Sequence, residues 1–161
     1  MEETKKIYFS IKENNLTELD RLLKKQKDFF SVKPYDQSLL THACFENNIE
    51  IAEYLIKKGF DVNEKDLNGY APLHACAEYN FAFLAELLLK NGANPDIKDR
   101  FGNTPLMKAT LHWDKNMEVI KVLLNHSSNT DEKNNFGSSP GSLADKMEAN
   151  SLINLFNLKK K

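Results

Sequence analysis

Apolar residues recur along this chain at the three- and four-residue spacing that places them on one face of a helix. One such stripe runs from Leu16 to Leu23, and a second runs from Leu84 to Leu88. Polar segments that contain Asn, Gly and Asp separate the stripes. The pattern predicts an all-α chain of short amphipathic helices, each of which buries one face against its neighbours.

The helical pattern repeats along the chain with a period of about 33 residues. Thr104 followed by Pro105 is typical of a helix start, with a polar N-cap and proline at the first helical position. Glycines follow the apolar stripes, where a left-handed C-terminal cap favours them, and asparagines lie between helices, where a positive φ suits them. The residues that return at this spacing are Asn14, Asn47 and Asn80; Gly59 and Gly92; Asp66 and Asp99; Gly69 and Gly102; Pro72 and Pro105; Leu73 and Leu106. Each unit is predicted as helix, turn, helix and loop, and it hides its apolar face only by stacking on the next unit.

At these positions the chain resembles the ankyrin repeat. Residues 66–77, DLNGYAPLHACA, are similar to the D-x-x-G-x-T-P-L-H-x-A-A opening of that repeat, and residues 99–110, DRFGNTPLMKAT, repeat it. Residues 50–61, EIAEYLIKKGFD, are similar to its second half, E-V-V-x-L-L-L-x-x-G-A-D, which returns at residues 118–124 as EVIKVLL. The resemblance implies an all-α solenoid of helix–turn–helix units with finger loops.

We expect residues 1–161 to form a single ankyrin-repeat domain of about three full repeats between two capping repeats. The expected units are an N-terminal cap at 1–32, full repeats at 33–65, 66–98 and 99–133, and a C-terminal cap at 134–161.

The third full repeat is longer than the others. Leu106 follows Leu73 by one regular period, whereas Leu124 follows Leu89 by one period and two further residues. The two extra residues fall within the segment 111–116, between the helices of that repeat, and this segment contains the only tryptophan, Trp113. Because an insertion there need not disturb the stack, we expect the longer turn to project outward.

The tripeptide His-Ala-Cys occurs twice, ending at Cys44 and at Cys76, and could suggest a zinc site with two histidines and two cysteines. In a helix, residues i and i+2 lie about 200° apart, so His and Cys of one copy point to opposite sides. The spacing of the two copies is also one residue short of a full period, so they do not occupy equivalent positions in their repeats. We therefore expect no metal site, with both cysteines replacing small core alanines. For His74 the resemblance implies a structural hydrogen bond to a neighbouring loop.

Catalytic patterns are missing from the sequence. It contains no G-x-S-x-G, H-E-x-x-H, G-x-G-x-x-G or Walker loop, and its carboxylates are scattered. We therefore expect neither enzymatic activity nor a cofactor.

Composition and charge narrow the range of partners. Of the 161 residues 41% are hydrophobic, enough for a core, and 22 basic against 23 acidic side chains leave a formal net charge of −1. This balance argues against nucleic acid or a membrane surface as a partner. The sequence has two cysteines, no apolar leader and no apolar run that approaches the roughly 18 residues of a membrane span. We therefore expect a cytoplasmic protein.

The resemblance implies that a partner protein binds to the concave face, formed by the finger-loop tips and the exposed side of the first helix in each unit. Aromatic residues and Arg are over-represented among interface hot spots. The candidate contact residues are Tyr35, Phe45, Lys65, Leu67, Asn68, Tyr70, Glu78, Tyr79, Arg100, Phe101, Asn103, His112, Trp113 and Phe136. Some of these rings could instead pack between neighbouring loops, an alternative that applies most to Phe101 and Phe136.

The resulting expectation is a non-enzymatic protein-binding module that is monomeric when free. The chain resembles small stand-alone ankyrin proteins of bacteria, which implies an immunity or inhibitor protein that neutralises a toxin. The alternative is a host-directed effector or a regulatory adaptor that occupies a signalling protein.

Overall fold

A computed structural model describes residues 2–28 and 30–159, except for the side chains of Glu2 and Tyr35. Over these residues the regular secondary structure is helical and contains no strand. The α-helices are α1 (Glu2–Lys12), α2 (Leu16–Leu23), α3 (Leu39–Phe45), α4 (Ile49–Lys57), α5 (Pro72–Glu78), α6 (Ala82–Lys90), α7 (Pro105–Leu111), α8 (Glu118–Asn125), α9 (Pro140–Lys146) and α10 (Asn150–Lys159), with a 3-10 helix at Pro34–Asp36.

The helices pack in pairs, and the pairs stack on one another. Each odd-numbered helix contacts the even-numbered helix that follows it, and α1, α3, α5, α7 and α9 contact one another in sequence order. Helices α4, α6 and α8 form a parallel series of contacts. The predicted all-α solenoid is therefore confirmed, with the core between the two rows of helices.

The helix starts follow from local chemistry. Thr104 Oγ1 accepts a hydrogen bond from Met107 N at 3.2 Å, and Pro105 follows, as predicted. Helix α5 begins after Ala71, which has no side-chain oxygen for capping. There His74 Nδ1 accepts a hydrogen bond from Ala71 N at 3.0 Å, so that the histidine fixes the first turn of its own helix.

The predicted left-handed positions are confirmed where the repeat is regular. Asn47 and Asn80 have φ values of +52° and +58° in the turns between helices, and Gly92 has a φ of +90° after α6. In the third full repeat the corresponding helix-end position is Ser127, at +67°. A serine there adopts a backbone conformation that glycine reaches at lower cost.

Hydrogen bonds tie each finger loop to the next. Arg100 N donates to Asn68 O at 2.7 Å, and one repeat later Asn135 N donates to Phe101 O at 2.9 Å. Within one finger, Asp66 Oδ1 accepts from two main-chain N–H groups, those of Asn68 and Tyr70. The loops are therefore an ordered extension of the helix stack.

The inserted turn differs from its prediction. Asp114, Lys115 and Asn116 are exposed, but the indole of Trp113 is partly buried and packs against the core. The expectation that the whole turn projects outward is wrong for this residue, because its large apolar ring is more stable when covered.

None of the described helices is both long and apolar enough to cross a lipid bilayer.

Candidate functional site

Three aromatic rings from two adjacent repeats meet at one place, and we call Phe45, Tyr70 and Tyr79 the aromatic cluster. Phe45 ends α3, Tyr70 lies in the finger loop before α5, and Tyr79 follows α5. The rings of Phe45 and Tyr70 are nearly parallel, with centroids 5.8 Å apart, and Tyr79 meets Phe45 edge-on at 5.8 Å. Tyr79 is 53% exposed. The cluster therefore presents an aromatic edge to solvent.

A network of charged groups lies beside the aromatic cluster. Tyr70 Oη donates to Glu78 Oε2 at 2.8 Å. Lys108 Nζ lies 3.7 Å from Glu78, 3.5 Å from Asp99 and 5.3 Å from the centre of the Tyr70 ring. Burial, assisted by Glu78, raises the pKa of the Tyr70 hydroxyl well above its usual value. Tyr70 is thus a neutral donor whose position this network fixes.

The aromatic cluster forms one wall of an open groove of about 340 Å³. Asp66, Glu78 and Lys108 also line the groove, which runs between a finger loop and the helices α5 and α7. The groove thus combines exposed aromatic surface with polar groups that are already paired.

The finger tips carry a second apolar surface, the finger row of Leu67, Phe101 and Phe136. They are 84%, 41% and 74% exposed, respectively. Phe101 and Phe136 do pack together, with centroids 6.4 Å apart, yet both keep an open side. The guanidinium of Arg100 lies 4.6 Å from the centre of the Phe101 ring.

Other candidate residues serve to hold the fingers in place. Lys65 Nζ donates to Lys98 O at 2.9 Å, and the Arg100 guanidinium donates to Asn68 Oδ1. These contacts join neighbouring loops, so the polar residues at the tips support the apolar ones.

Asn103 is not available for the expected partner contact. It is only 8% exposed, and its main-chain N–H and side-chain amide both donate to Asp99. Its Oδ1 also accepts from Asn134 Nδ2 at 2.8 Å. Asn103 is therefore not part of the exposed candidate surface, and its prediction as a contact residue is wrong. The side chain of Tyr35 lies outside the described residues.

His112 and Trp113 lie beside the aromatic cluster. The side chain of His112 is 50% exposed, and its Nε2 lies 3.7 Å from Glu78 Oε1. Trp113 is partly buried and lines a small cavity together with Tyr79. The structure brings both residues to the end of α7 that lies next to the groove.

Two residues were not predicted from the sequence, Lys108 beside the groove and the exposed Phe83 outside it. Lys108 is identified as part of the site only by its tertiary contacts with Tyr70, Glu78 and Asp99. Phe83 is 83% exposed on α6 and stands one period after Glu50. An aromatic residue at a position that is charged one repeat earlier is a signal that could have identified it.

The buried histidines have structural partners. His74 Nδ1 accepts from Ala71 N, so the ring carries its proton on Nε2 and donates to Asn103 O at 3.1 Å. This bond reaches the next finger loop and confirms the role that the resemblance implied for His74. Burial lowers the pKa of His74 to about 4. His42 Nε2 bonds to Pro34 O at 2.7 Å, and burial also lowers the pKa of His42.

The two cysteines meet in the core between α3 and α5. Cys44 and Cys76 are both free thiols with no exposed surface. Burial raises the pKa of Cys76 well above its usual range, and contact with the Cys44 thiol adds to the effect. Within the described residues no group of three or more His, Cys, Asp or Glu side chains is placed to hold a metal ion.

Comparison with protein families agrees with this architecture. A model of ankyrin repeats, in three copies, matches residues 7–99 and 80–147. A search among curated proteins gives no match. Ankyrin repeats typically act as non-enzymatic modules that bind other proteins. The family model spans most of the helix pairs described above, and the chain therefore belongs to the ankyrin-repeat family as a protein–protein interaction module.

Proposed function

We propose that this protein binds its partner through the groove and the finger row together. The observation that carries the proposal is the aromatic cluster, where Tyr79 is 53% exposed although Phe45 and Phe81 pack against its ring. An exposed ring with a fixed position contributes contact area and loses little conformational freedom on binding.

Rigidity supports the same proposal. The hydrogen bonds from Arg100 to Asn68 and from Asn135 to Phe101 fix the relative positions of three fingers. A surface that is ordered before binding loses less entropy on association than a set of mobile loops. Affinity is therefore expected to depend on the shape of this face more than on any long-range charge, since the formal net charge is only −1.

Alanine substitution of an exposed ring tests the proposal. The partner is first captured on tagged wild-type protein from its native cell, and its affinity is then measured by titration calorimetry. Tyr79→Ala is expected to weaken binding by about 1–3 kcal/mol, because this ring is an exposed aromatic anchor.

Phe83→Ala is the matched control, since Phe83 is another large exposed ring, on α6 and away from the groove. Its affinity is expected to equal that of the wild type. The proposal is wrong if the partner binds Tyr79→Ala as tightly as wild type and loses affinity for Phe83→Ala. That result would place the interface on the second helix of each repeat, the row that contains α6.

For the identity of the partner, we propose a toxin whose active surface this face covers, which would make the protein an immunity or inhibitor protein. The alternative is a signalling protein occupied by an effector or adaptor. Co-expression separates them. A captured toxin should arrest growth when expressed alone and lose its effect beside the wild-type protein. Tyr79→Ala should restore the growth arrest. A captured partner without toxicity would favour the adaptor alternative.

A further inference from the structure

The groove contains an exposed aromatic ring beside a carboxylate. Tyr79 is 53% exposed, and its neighbour Glu78, whose side chain is 22% exposed, lines the same groove. Phe45 meets the Tyr79 ring edge-on and Phe81 lies nearly parallel to it, each with its centroid 5.8 Å away. Among the described residues no ammonium or guanidinium group lies over the Tyr79 ring. A group that enters the groove can therefore contact an aromatic surface and a carboxylate together.

The carboxylate of Glu78 is able to accept further hydrogen bonds. From the part of the chain that the structure describes, its only hydrogen bond comes from the Tyr70 hydroxyl, which donates to Oε2 at 2.8 Å. Lys108 Nζ and His112 Nε2 each lie 3.7 Å from the carboxylate, beyond hydrogen-bonding distance. The one described side-chain atom that is both covered and without a hydrogen bond is Trp113 Nε1. Because Glu78 Oε1 also has no hydrogen bond, it must be accessible to solvent.

Acidic groups outnumber basic groups in this part of the face. Asp66 and Glu78 line the groove, and Lys108, which also lines it, lies 3.5 Å from Asp99. Three carboxylates are thus set against one ammonium group. The guanidinium of Arg100 lies over an aromatic ring at the finger tip and does not line the groove. The groove therefore favours a cation from the partner and disfavours an anion.

Guanidinium is the cation that fits both the ring and the carboxylate. It is planar, stacks on aromatic rings and pairs with a carboxylate through two parallel N–H groups. The ammonium group of lysine is a compact and strongly hydrated charge without this planar geometry. The finger row already shows such stacking in this protein, since the Arg100 guanidinium lies 4.6 Å from the centre of the Phe101 ring.

We propose that the groove receives an arginine side chain of the partner protein, which stacks on Tyr79 and donates hydrogen bonds to Glu78. The inference rests on the proposed function, because the aromatic cluster that carries that proposal forms one wall of this groove. The contact surface of the partner is then basic where it covers the aromatic cluster and apolar where it covers the finger row.

Capped amino acids test this chemistry without the partner. The ¹⁵N-labelled protein is titrated with Nα-acetylarginine amide, with its neutral isostere Nα-acetylcitrulline amide, and with Nα-acetyllysine amide, and the amide chemical shifts are followed. The arginine derivative is expected to shift the Tyr79 amide resonance with saturation. The other two are expected to bind about tenfold more weakly, because citrulline lacks the charge and lysine lacks the planar group.

Glu78→Gln is the informative variant. It keeps the length of the side chain and an oxygen that can accept from the Tyr70 hydroxyl, and it removes the negative charge. The affinity for Nα-acetylarginine amide is expected to fall about tenfold, as for the loss of one hydrogen bond to a charged group. Tyr79→Leu, which removes the ring and keeps an apolar side chain, is expected to weaken binding as well. Glu53→Gln is the matched control, since Glu53 lies on α4 outside the groove, and it should bind the probe like wild type.

The inference is overturned if the arginine derivative gives no saturable shift, if the citrulline or lysine derivative binds equally well, or if Glu78→Gln binds the arginine derivative like wild type. The captured partner then tests the proposed function separately. If Tyr79→Ala weakens the partner and Glu78→Gln does not, the partner uses this face without an arginine and only the inference fails. If the partner binds both variants like wild type, the proposed face itself is wrong.

Discussion

At the scale of single residues, the repeat contains a position where a residue with a Cβ atom adopts a backbone conformation that favours glycine. Ser127 has a φ of +67° at a place where Gly59 and Gly92, in the two preceding repeats, have φ values of +91° and +90°. A side chain with a Cβ atom is strained in this region of backbone conformation. The backbone strain at Ser127 lowers the stability of the fold and leaves the groove and the finger row unchanged.

Replacing this serine is expected to stabilise the protein. Ser127→Gly should raise the free energy of unfolding by about 1 kcal/mol, because glycine reaches the left-handed region without strain. The measurement is urea denaturation followed by circular dichroism.

Gly92→Ser is the reverse control. A Cβ at Gly92 meets nothing within 4 Å, so its cost is that of the backbone alone. It should destabilise by a similar amount. Equal stability for wild type and both variants would show that this turn does not hold the left-handed conformation in solution.

His74 gives the protein a residue-scale dependence on pH. Burial lowers its pKa to about 4 in the folded state, from an ordinary value of 6.5. Between these values the unfolded chain binds the proton and the folded chain does not. The stabilisation is complete above the ordinary pKa and is lost as the pH falls towards 4. The loss is expected to reach about 2–3 kcal/mol.

Unfolding free energies at several pH values test this prediction. His74→Gln lacks the titrating ring, so its stability should fall less than that of the wild type as the pH is lowered from neutral towards the pKa of the buried ring. Parallel profiles for wild type and His74→Gln would contradict the assignment.

At the scale of helices and loops, side chains of one repeat complete the structure of the next. Asn63 Oδ1 accepts from Asn94 N at 2.8 Å, and Asp96 Oδ1 accepts from Asn129 N at 3.0 Å. In the same way Asn80 caps α8 through Val119 N. The start of α8 therefore depends on the preceding repeat.

Asparagine in the turn after α5 has two roles that substitution can separate. Asn80→Gly keeps the positive φ and removes the cap on α8, so it should lower the free energy of unfolding by about 1 kcal/mol. Asn47→Gly is the matched control, because Asn47 has the same conformation one repeat earlier, at +52°. The difference between the two variants in urea denaturation measures the cap. A difference of zero would assign Asn80 a conformational role alone.

At the scale of the whole molecule, each helix pair packs mainly on the pairs next to it in sequence. Pairs in the middle of the stack are covered on both sides, and stability in such a fold is a sum of local and nearest-neighbour contributions. The terminal pairs are therefore expected to open more easily than the central ones.

Two core leucines test this arrangement. Leu88 on α6 and Leu152 on α10 are both fully buried. Leu88→Ala should destabilise by about 2–5 kcal/mol and raise hydrogen exchange along the whole stack. Leu152→Ala should raise exchange in α9 and α10 while the central helices stay protected. A uniform increase for both variants would indicate that the molecule unfolds as one unit.

Much of the architecture was predictable because it depends on residues close together in sequence. Thr104 and Pro105 start a helix through contacts within one turn, and Asn80 and Gly92 take positive φ values for reasons of their own covalent structure. Because the same local pattern recurs in each repeat, every copy supports the prediction made from the others. The candidate surface was less predictable, since exposure depends on what the neighbouring repeat presents.

The sequence by itself determined the helix pairs, their caps and the ankyrin-type stacking. Only the tertiary structure decided that Asn103 is enclosed by the fingers, that Trp113 turns towards the core, and that the thiols of Cys44 and Cys76 meet. The physical reason is that burial is set by atoms of the neighbouring repeats, whose positions depend on how one repeat packs on the next.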